Sequence, residues 1–356
     1  MRVTLTDAER HEEWDAFVGR VPGGDLVQTT AWAATKQALG LRASLVVVRD
    51  DRDGCVGGGL LITKRLGPGV AVSYVARGPV AHPGAPWAST VALDALVDRA
   101  RSLHTRYLIV QPPDGAEHLD TELRRRAFSP GAPMVAPDAT VRLDLTRSDD
   151  ELLFGMSEMR RRNIRRALRE GVEVLASTDV ELFHRLHTAT AARQGFEPLS
   201  LSYLQCQWLH LRERGRLMLL VARHEGSPVA AIWLTHFNGT VTFKLAGWDA
   251  AAPGPKNVNE MLHWSAVRWA RSSGARVYDF GGFDREVAER MHRGEALPES
   301  FGRSYSFFKL GFGRPPVLLP QALYLIPSRI ARLAVEKSGL LKGRSGQRLA
   351  DRFRNG

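Results

Sequence analysis

The same order of apolar runs and turns occurs twice in this 356-residue chain, once in each half. Each copy reads as strand, turn, strand, strand, helix and strand, because short apolar runs alternate with charged or glycine-containing turns. A repeated order of this kind predicts two similar α/β halves, and ligands commonly bind where such halves meet. The first copy comprises residues 45–49, 57–63, 70–74, 87–102 and 107–110, and the second 219–223, 229–235, 241–244, 259–271 and 277–280.

The length of the chain allows two domains with separate cores. Hydrophobic residues make up 44% of the chain and charged residues 24%, as is usual for a globular protein that folds in water. We therefore expect one domain at residues 1–147 and a second at 148–320, followed by a basic helical tail at 321–356.

The features that report on location predict a cytoplasmic protein. No run of about 18 apolar residues is present, so no spanning helix is expected. The segment Met1–Glu13 is charged throughout and lacks the apolar centre of a signal peptide. The two cysteines, Cys55 and Cys206, lie in a strand-like and a helix-like segment, which predicts core thiols in a reducing compartment rather than a disulfide.

A net charge of +11 and an isoelectric point near 10.1 predict a polyanionic partner. Nucleic acid, a nucleotide-linked substrate and an anionic membrane face all fit such a field. The most basic segments are residues 156–170, called the basic segment below, and the tail. Within the tail, the amphipathic stretch Ile326–Val335 can pack on a domain or contact the inner face of a membrane.

The basic segment is predicted to be a single helix that Ser148 or Asp149 caps and Gly171 ends. Ile164 and Leu168, four residues apart, are expected to form its buried stripe. Its arginines would then share one face, where like charges repel unless an anion lies near them. A face that is merely solvated is the alternative. The arginines expected on that face are Arg161, Arg162, Arg165 and Arg169.

Several common catalytic and cofactor motifs are missing from the sequence. There is no Gly-x-Ser-x-Gly elbow of hydrolases, no phosphate-binding loop and no strand-associated Gly-x-Gly-x-x-Gly. His184 and His187 form the closest histidine pair, but they have no cysteine partner and no His-Glu-x-x-His pattern. The sequence therefore argues against NTPase and dinucleotide chemistry, and no metal site is predicted.

Five other segments combine basic or aromatic residues with turns that suit anion binding and close backbone approach. In the first, Thr29 or Thr30 caps a helix whose Trp32 faces inward, with Lys36 one turn further along the same side. Taken singly, each segment is explained as well by a glycine turn or by aromatic packing. The five segments are residues 28–36, 73–79, 191–196, 278–282 and 307–313.

Together, over about residues 28–320, these segments resemble the Fem family of aminoacyl-tRNA-dependent peptidyltransferases. The resemblance implies tandem acetyltransferase-like (GNAT-like) domains of α/β (α+β) fold, in agreement with the duplication. Only Leu199–Arg214 stands where larger members carry a coiled-coil arm, so the chain resembles a short, armless member. The motifs that carry the resemblance are Arg77-Gly78-Pro79, Arg169-Glu170-Gly171-Val172, Asp279-Phe280-Gly281-Gly282 and Phe308-Lys309-Leu310-Gly311-Phe312-Gly313.

The resemblance implies transfer of an amino acid from the 3′ end of a charged tRNA to an amine of a nucleotide- or lipid-linked muropeptide. An aminoacyl ester is already activated, so no cofactor and no covalent enzyme intermediate are expected. By the same resemblance Lys309, beside Phe308, lies near the reacting ester and steadies a phosphate or the developing oxyanion. Asp279 would orient the amine or take its proton, unless it only caps a turn.

The resemblance also assigns binding residues for both substrates. Lys36, Arg77 and Arg193 would hold the phosphates and sugar-peptide of the muropeptide carrier, Tyr74 would line the groove, and Gly281 would allow close backbone approach. Contacts between tRNA phosphates and the arginines of the basic segment would add salt-sensitive affinity.

One departure and two other classes of function stay open. Many relatives carry a carboxylate shortly after the Arg-Gly-Pro turn, where this chain has Val80-Ala81-His82. Either His82 substitutes, or substrate or water removes the proton, or the acceptor is an antibiotic-type peptide precursor.

An acyl-CoA N-acyltransferase would need an Arg/Gln-x-x-Gly-x-Gly/Ala turn, which neither 77–87 nor 247–257 contains. A non-catalytic RNA-binding protein would explain the charge but not the aromatic surroundings of Lys309.

Overall fold

The computed structural model describes residues 1–8, 10–132, 135–251, 257–313 and 315–327. The chain folds into two compact units, one made of residues 1–138 with the described part of 319–356, the other of residues 139–318. The expected boundary after residue 147 differs from this division, because the strands just before it pair within the second unit.

The first unit is built on one mixed sheet with helices on both faces. Neighbouring strands in the order β1-β2-β3-β4 are antiparallel, β6 joins β4 in parallel, and β5 pairs with β3. The elements are β1 (Arg2–Asp7), α1 (Glu12–Val18), a 3₁₀ turn (Leu26–Gln28), α2 (Thr30–Gln37), β2 (Arg42–Arg49), β3 (Cys55–Gly67), β4 (Val70–Ala76), β5 (Val80–Ala81), α3 (Trp87–Ser102), β6 (Thr105–Gln111), α4 (His118–Arg125) and β7 (Ser129–Pro130).

Glycines in β3 let helices approach both faces of this sheet. A Cβ at Gly57 would lie 2.8 Å from the Ala88 side chain of α3, and a Cβ at Gly58 would lie 2.7 Å from the Trp14 ring of α1. Because successive residues of a strand point to opposite faces, these helices cover the two sides of the sheet. This double cover explains why β2 is apolar along most of its length and buried on both faces.

The second unit repeats the arrangement. Its sheet has the order β10-β11-β12-β13-β14-β9, with β13 and β14 parallel and the other neighbours antiparallel. The elements are β8 (Ala139–Thr140), β9 (Arg142–Asp144), α5 (Asp149–Gly155), α6 (Glu158–Arg169), β10 (Glu173–Ser177), α7 (Val180–Gln194), α8 (Leu201–Arg212), β11 (Leu217–His224), β12 (Ser227–Phe237), β13 (Thr240–Trp248), α9 (Val258–Ser272), β14 (Val277–Asp279), α10 (Arg285–His292), a 3₁₀ turn (Glu299–Arg303), α11 (Tyr305–Leu310) and β15 (Val317–Leu318).

The duplicated pattern of the sequence is confirmed. The first copy forms β2, β3, β4, α3 and β6, and the second forms β11, β12, β13, α9 and β14. In both copies the strands before and after the helix pair in parallel. In the second unit this pairing covers only Thr240–Thr242 and Val277–Asp279, while β13 continues to Trp248. The two strands therefore stop pairing just where the chain reaches the Asp279-Phe280-Gly281-Gly282 motif.

The chain leaves the second unit and completes the sheet of the first. Strand β16 (Leu323–Leu325) pairs with both β6 and β7. The start of the expected helical tail is therefore a strand, because the apolar run Leu323–Leu325 fills a position in the sheet. Residues 328–356, with most of the amphipathic stretch, lie outside the described residues. In the part of the chain that the structure describes, no helix is long and apolar enough to cross a membrane.

The stretch from Ser148 to Gly171 forms two helices, α5 and α6, and the basic segment forms only α6, so the expectation of a single helix is wrong. Ser148 caps the short helix α5 in a capping box with Glu151. Met156 and Ser157 are extended, and the Ser157 hydroxyl then accepts a hydrogen bond from the Arg160 amide at 3.4 Å to start α6. Ser157 is therefore a second helix cap and marks the start of a separate helix. In the sequence this cap is hard to recognise beside the run of arginines.

The buried stripe of α6 is also partly different from the expectation. Ile164 is buried, but Leu168 is 62% exposed. The inward positions are Arg160, Ile164 and Ala167, which follow helical spacing and leave Leu168 on the outer side. The helix ends at Arg169, and Gly171 follows its cap residue with a φ of +74°, as expected for a glycine after the last turn.

Candidate active site

Lys309 is the buried centre of the candidate site in the second unit. It lies on α11 and is 3% exposed. Its Nζ donates a hydrogen bond to the carbonyl oxygen of Gly282. The same nitrogen lies 4.5 Å from the centre of the Tyr305 ring and 5.6 Å from that of Phe243. One amine is thus enclosed by two aromatic rings and a backbone carbonyl.

This enclosure changes the protonation of Lys309. Burial lowers the pKa of the amine to about 7, although the negative charge of Asp279 opposes the change. A lysine in water titrates near pH ~10.4. The side chain therefore changes charge close to neutral pH, which is typical of functional lysines in buried sites.

Asp279, at the end of β14, accepts hydrogen bonds on both of its carboxylate oxygens. Its Oδ1 accepts from the Thr140 hydroxyl at 2.5 Å and from the Gly281 amide at 2.7 Å. Its Oδ2 accepts from Nε of Arg142 at 2.9 Å. Sequence reasoning missed Thr140 and Arg142, because both lie more than a hundred residues before Asp279. The carboxylate is therefore held as a structural anchor of the turn.

The turn after Asp279 brings the backbone up to Lys309. Gly281 has a φ of +65°, and a Cβ there would lie 2.6 Å from the Phe243 carbonyl oxygen. Only glycine fits this conformation and this space without strain. The close approach expected at Gly281 is thus made to strand β13, and the next residue, Gly282, presents its carbonyl oxygen to Lys309.

Phe308 lies in an aromatic cluster next to Lys309. Its ring stacks on Tyr305, with centres 5.9 Å apart and planes 2° apart, and meets Phe312 edge-on at 5.3 Å. His263, on α9, lies 5.5 Å from the same ring. The rings of the cluster are those of Phe243, His263, Tyr278, Phe280, Tyr305, Phe308 and Phe312.

The cluster contains a residue that sequence reasoning missed, His263 of α9. No motif in the sequence around it marks it as part of a site. It is buried, and its Nδ1 lies 3.0 Å from the hydroxyl oxygen of Tyr278. Burial lowers the pKa of His263 to about 3, and the charges of Lys309 and Arg160 act in the same direction. The imidazole is therefore neutral near pH 7 and serves as a packing and hydrogen-bonding group.

The outer side of α6 forms an exposed positive surface. Arg162, Arg165 and Arg169, called the basic face below, are exposed and lie within a narrow arc of the helix. Among the residues that the structure describes, none forms an ion pair with these three arginines. Arg161 lies apart from them, because its guanidinium donates to the carbonyl oxygens of Phe154 and Met156 at the end of α5.

The residues expected to bind the acceptor lie partly in the first unit. Lys36, Tyr74 and Arg77 are each less than 10% exposed. Lys36 lies on α2, and its Nζ is 5.0 Å from the centre of the Trp32 ring one turn earlier. Thr29 caps this helix, as expected, by accepting a hydrogen bond from the Trp32 amide at 3.2 Å.

Arg77 follows β4 in a turn that a buried glutamine organises. Its φ is +54°, and its guanidinium donates a hydrogen bond to the Pro137 carbonyl. The Gln28 side chain donates to the Ala76 carbonyl at 2.6 Å and packs so closely on Gly78 that a Cβ there would lie 2.7 Å from its nitrogen. Sequence reasoning missed Gln28, which borders the Thr29-Thr30 capping segment.

Arg193 and His82 lie at the surface of the second and first units, respectively. Arg193 is in the last turn of α7, where its guanidinium carbon lies 4.4 Å from the centre of a Trp248 ring and Nη1 donates to the Trp248 carbonyl at 3.2 Å. His82 is exposed, and its Nδ1 accepts a hydrogen bond from the Gly84 amide at 3.1 Å. Both side chains are thus accessible but oriented by backbone groups.

The structure therefore brings one expected set of residues together. Lys309, Phe308, Asp279 and Gly281 form a single cluster at the point where β13 and β14 stop pairing. The basic face lies on the outer side of α6 in the same unit. Within the described residues, no three histidine, cysteine, aspartate or glutamate side chains are grouped as metal ligands.

Family models match both halves of the chain. Residues 10–130 match the FemAB family, and residues 158–289 match the acetyltransferase (GNAT) domain. The lipid II:glycine glycyltransferase of Staphylococcus aureus is 30% identical over 231 residues, which cover 60% of this chain and 53% of that protein. The first half of the chain is thus similar to the FemAB family, and the second half to a GNAT domain. The chain spans little more than half the length of the curated relatives it matches.

Solved structures show the same fold for this chain. The crystal structure of FemX superposes with a TM-score of 0.78 over 94% of this chain and 100% of that one, at 18% identity. A tandem GNAT protein from the clavulanic acid biosynthesis pathway gives a TM-score of 0.51 over 91% and 98% of the two chains, at 14% identity. The expected tandem GNAT-like architecture is confirmed, whereas likeness at such low identity says nothing of substrates.

Proposed function

We propose that this protein moves an amino acid from aminoacyl-tRNA to an amine of a lipid-linked peptidoglycan precursor. Similarity to relatives named lipid II:glycine glycyltransferase supports the acceptor, and the basic face supports an RNA donor. The observation that carries the proposal is the buried amine of Lys309. Its pKa is lowered to about 7, so the side chain can gain or lose a proton near neutral pH.

In the proposed reaction the acceptor nitrogen attacks the carbonyl carbon of the aminoacyl ester. A C–N bond forms, the C–O bond to the terminal ribose breaks, the nitrogen loses a proton and the ribose oxygen gains one. The ester is activated before it binds, so positioning and charge stabilisation supply the catalysis, with no cofactor.

Lys309 is assigned the stabilisation of negative charge. In its protonated form, the ammonium exchanges part of its interaction with the Gly282 carbonyl for the developing oxyanion or the 3′-terminal phosphate. The buried, aromatic surroundings strengthen that interaction, because water does not screen it. Loss of one such donor costs on the order of 3 kcal/mol in the transition state.

Asp279 is assigned a positioning role instead of proton transfer. Both of its oxygens accept hydrogen bonds from within the fold, and these bonds hold Gly281 and hence the Gly282 carbonyl. A proton acceptor would need a lone pair directed at the substrate. The proton of the acceptor amine therefore goes to water or to the leaving ribose oxygen.

The donor RNA is assigned to the basic face. Phosphate groups bound there would relieve the repulsion among its three arginines. Each phosphate contact also makes the affinity for RNA more dependent on salt. Arg161 belongs to the helix junction rather than to this surface, since backbone carbonyls of α5 hold it.

The acceptor is assigned to Lys36, Tyr74 and Arg77 of the first unit and, as a separate candidate, to Arg193 of the second. The three cationic side chains suit the diphosphate of a lipid-linked muropeptide, and Tyr74 offers a ring to the sugar-peptide. A lipid-linked acceptor would bring the protein into peripheral contact with the inner face of the membrane, at a cytoplasmic location.

The proposal is tested by incubating the protein with a pool of radiolabelled aminoacyl-tRNAs and separate lipid-linked and nucleotide-linked muropeptides. We expect label from one tRNA to move to one acceptor, ribonuclease treatment of the donor to stop transfer, and Lys309→Met to reduce it about a hundredfold or more. Near-normal transfer by Lys309→Met would remove this residue from the mechanism.

Two control arms separate the other classes of function. Titration with acetyl-CoA should give no micromolar complex, whereas a tight complex would favour an acyl-CoA N-acyltransferase. Equal binding of uncharged tRNA and generic duplex RNA, without any transfer, would favour a non-catalytic RNA-binding protein. Label that moves only to a non-muropeptide peptide amine would favour a natural-product pathway.

A further inference from the structure

The first turn of α6 contacts the segment that carries Lys309. The Ser157 amide donates a hydrogen bond to the Gly311 carbonyl at 2.8 Å, and Nε of Arg160 donates to the Phe308 carbonyl at 3.3 Å. The Arg160 guanidinium also lies over the Phe308 ring, with its carbon 4.4 Å from the ring centre. Both the backbone and the ring of the residue before Lys309 are thus held by one arginine.

Arg160 is itself fixed by a buried ion pair. Its Nη1 donates to Oε1 of Glu260 at 2.8 Å, and the Asn163 amide donates to the same oxygen at 2.9 Å. The side chains of Arg160 and Glu260 are 6% and 8% exposed. Burial lowers the pKa of Arg160 while the charge of Glu260 raises it, and a guanidinium keeps its proton in such a balance.

A buried ion pair is weak evidence of stabilisation, because desolvation of both charges offsets their attraction. What the pair does provide is a fixed geometry. The guanidinium is planar and donates in defined directions, so its bonds to Glu260 and to the Phe308 carbonyl set its plane against the Phe308 ring.

We propose that Arg160 and Glu260 are positioning residues for Phe308 and Lys309, and that α6 joins this support to the surface that binds the donor RNA. The inference rests on the proposed function. Arg160 points inward from the first turn, while the basic face lies on the outer side of the same helix. A donor bound to the basic face is therefore held by the element that also fixes the segment next to the reacting ester.

Gly311 offers a way to disturb this contact without changing any charge. Its φ of −65° is open to alanine, but a Cβ there would lie 2.7 Å from Nε of Arg160 and 2.9 Å from its Cγ. Arg160 is held by Glu260, so the added methyl displaces it from Phe308. Gly302, where a Cβ would meet nothing within 4 Å, is the matched control.

The kinetic experiment compares Arg160→Lys and Gly311→Ala with the controls Arg166→Lys and Gly302→Ala, at a temperature well below the lowest melting point. Arg166 lies on the same helix and pairs with Glu170 at the surface. We expect the two test variants to lose about tenfold or more in kcat, with KM for both substrates and the salt dependence of RNA binding within about twofold of wild type. Unchanged kcat, or a loss confined to RNA affinity, would overturn the proposal.

A second measurement does not depend on transfer. The ¹³Cε signal of Lys309, assigned by its absence in Lys309→Met, is titrated in wild type and in Gly311→Ala. We expect the titration midpoint to move upward from about 7, because a displaced Phe308 no longer supports the Tyr305 ring that covers the amine, and water can then reach it. An unmoved midpoint would contradict the positioning role, whereas a moved midpoint without transfer by the wild type would reject the proposed function alone.

Discussion

The ammonium nitrogen of Lys309 donates a hydrogen bond to the carbonyl oxygen of Gly282, 27 residues earlier in the chain. This contact places a buried amine beside a backbone dipole, with Asp279 as the nearby carboxylate that opposes its loss of charge. Burial lowers the pKa of this amine, and the charge of Asp279, at the start of the same turn, opposes the change.

The pH dependence of transfer should follow the protonation of Lys309. Because the charged form of Lys309 is the proposed working form and burial lowers its pKa to about 7, the kcat/KM of wild type divided by that of Lys309→Arg should fall as pH rises through about 7. The ratio removes the titration of the acceptor amine, which both proteins share. Lys309→Arg keeps a cation at all accessible pH values, so its falling limb should move to higher pH. The measurement is kcat/KM for both proteins across neutral pH, with the ascending limb of the acceptor amine as the internal reference. A limb that instead rises near 7 and vanishes in Lys309→Arg would make the neutral amine a base.

Asp279→Asn and Arg142→Gln should lower transfer by similar factors, roughly tenfold each. Both changes break the same ion pair, and both release the turn that presents Gly282. Rates are measured together with thermal unfolding, and the two variants should also show similar losses of stability. If Asp279→Asn were inactive while Arg142→Gln remained near wild type, Asp279 would be a proton acceptor after all.

Replacing Arg162 and Arg165 by alanine should weaken binding of tRNA and reduce its dependence on salt. Each lost phosphate contact removes roughly 0.7 to 0.9 from the slope of log affinity against log salt. Affinity is measured over a range of salt concentrations by filter binding. The matched control is the double alanine variant of Arg124 and Arg125, which are exposed but paired with Asp120 and Glu122 in α4. Equal slopes in wild type and both double variants would show that the basic face is only a solvated surface and does not bind tRNA.

Gly78→Ala should destabilise the first unit. The new Cβ would lie within 2.9 Å of the nitrogen, carbon and oxygen of the Gln28 amide, which is buried and bonded to the backbone at Ala76 and Leu60. Overpacking of this kind costs about 1–3 kcal/mol. Urea unfolding measures the loss, and Gly67→Ala is the control, because its Cβ would meet nothing within 4 Å. Equal stability of the two variants would show that the Arg77 turn tolerates displacement of Gln28.

Much of the fold is readable from the sequence because the core strands are short apolar runs between turn residues. The run 45–49 and its counterpart 219–223 lie within β2 and β11, and the helix-like segments 87–102 and 259–271 lie within α3 and α9. Local pattern decides these elements, since each buries its apolar side against a neighbouring layer. The strand β16 is not readable in this way, because its partner β6 lies some two hundred residues earlier.

The site is readable only where one segment contains it. The aromatic residues around Lys309 in its own segment are visible in the sequence, but Phe243 and Gly282 reach it from other elements. In the sequence Arg160 looks like the exposed arginines around it. Its side chain is buried because its position on the helix faces the core, where Glu260 accepts its hydrogen bond. Charge patterns therefore identify the basic helix without separating its structural arginine from its surface ones.

The return of β16 to the first sheet has a consequence for synthesis on the ribosome. Strand β6 pairs with β4 on one side, but it acquires its second neighbour, Leu323–Leu325, only after residues 139–318 have been translated. The later unit has all of its own strands before the earlier one does. During synthesis the sheet of the first unit therefore has one unpaired edge beside β6, exposed to wrong pairing, until β16 emerges.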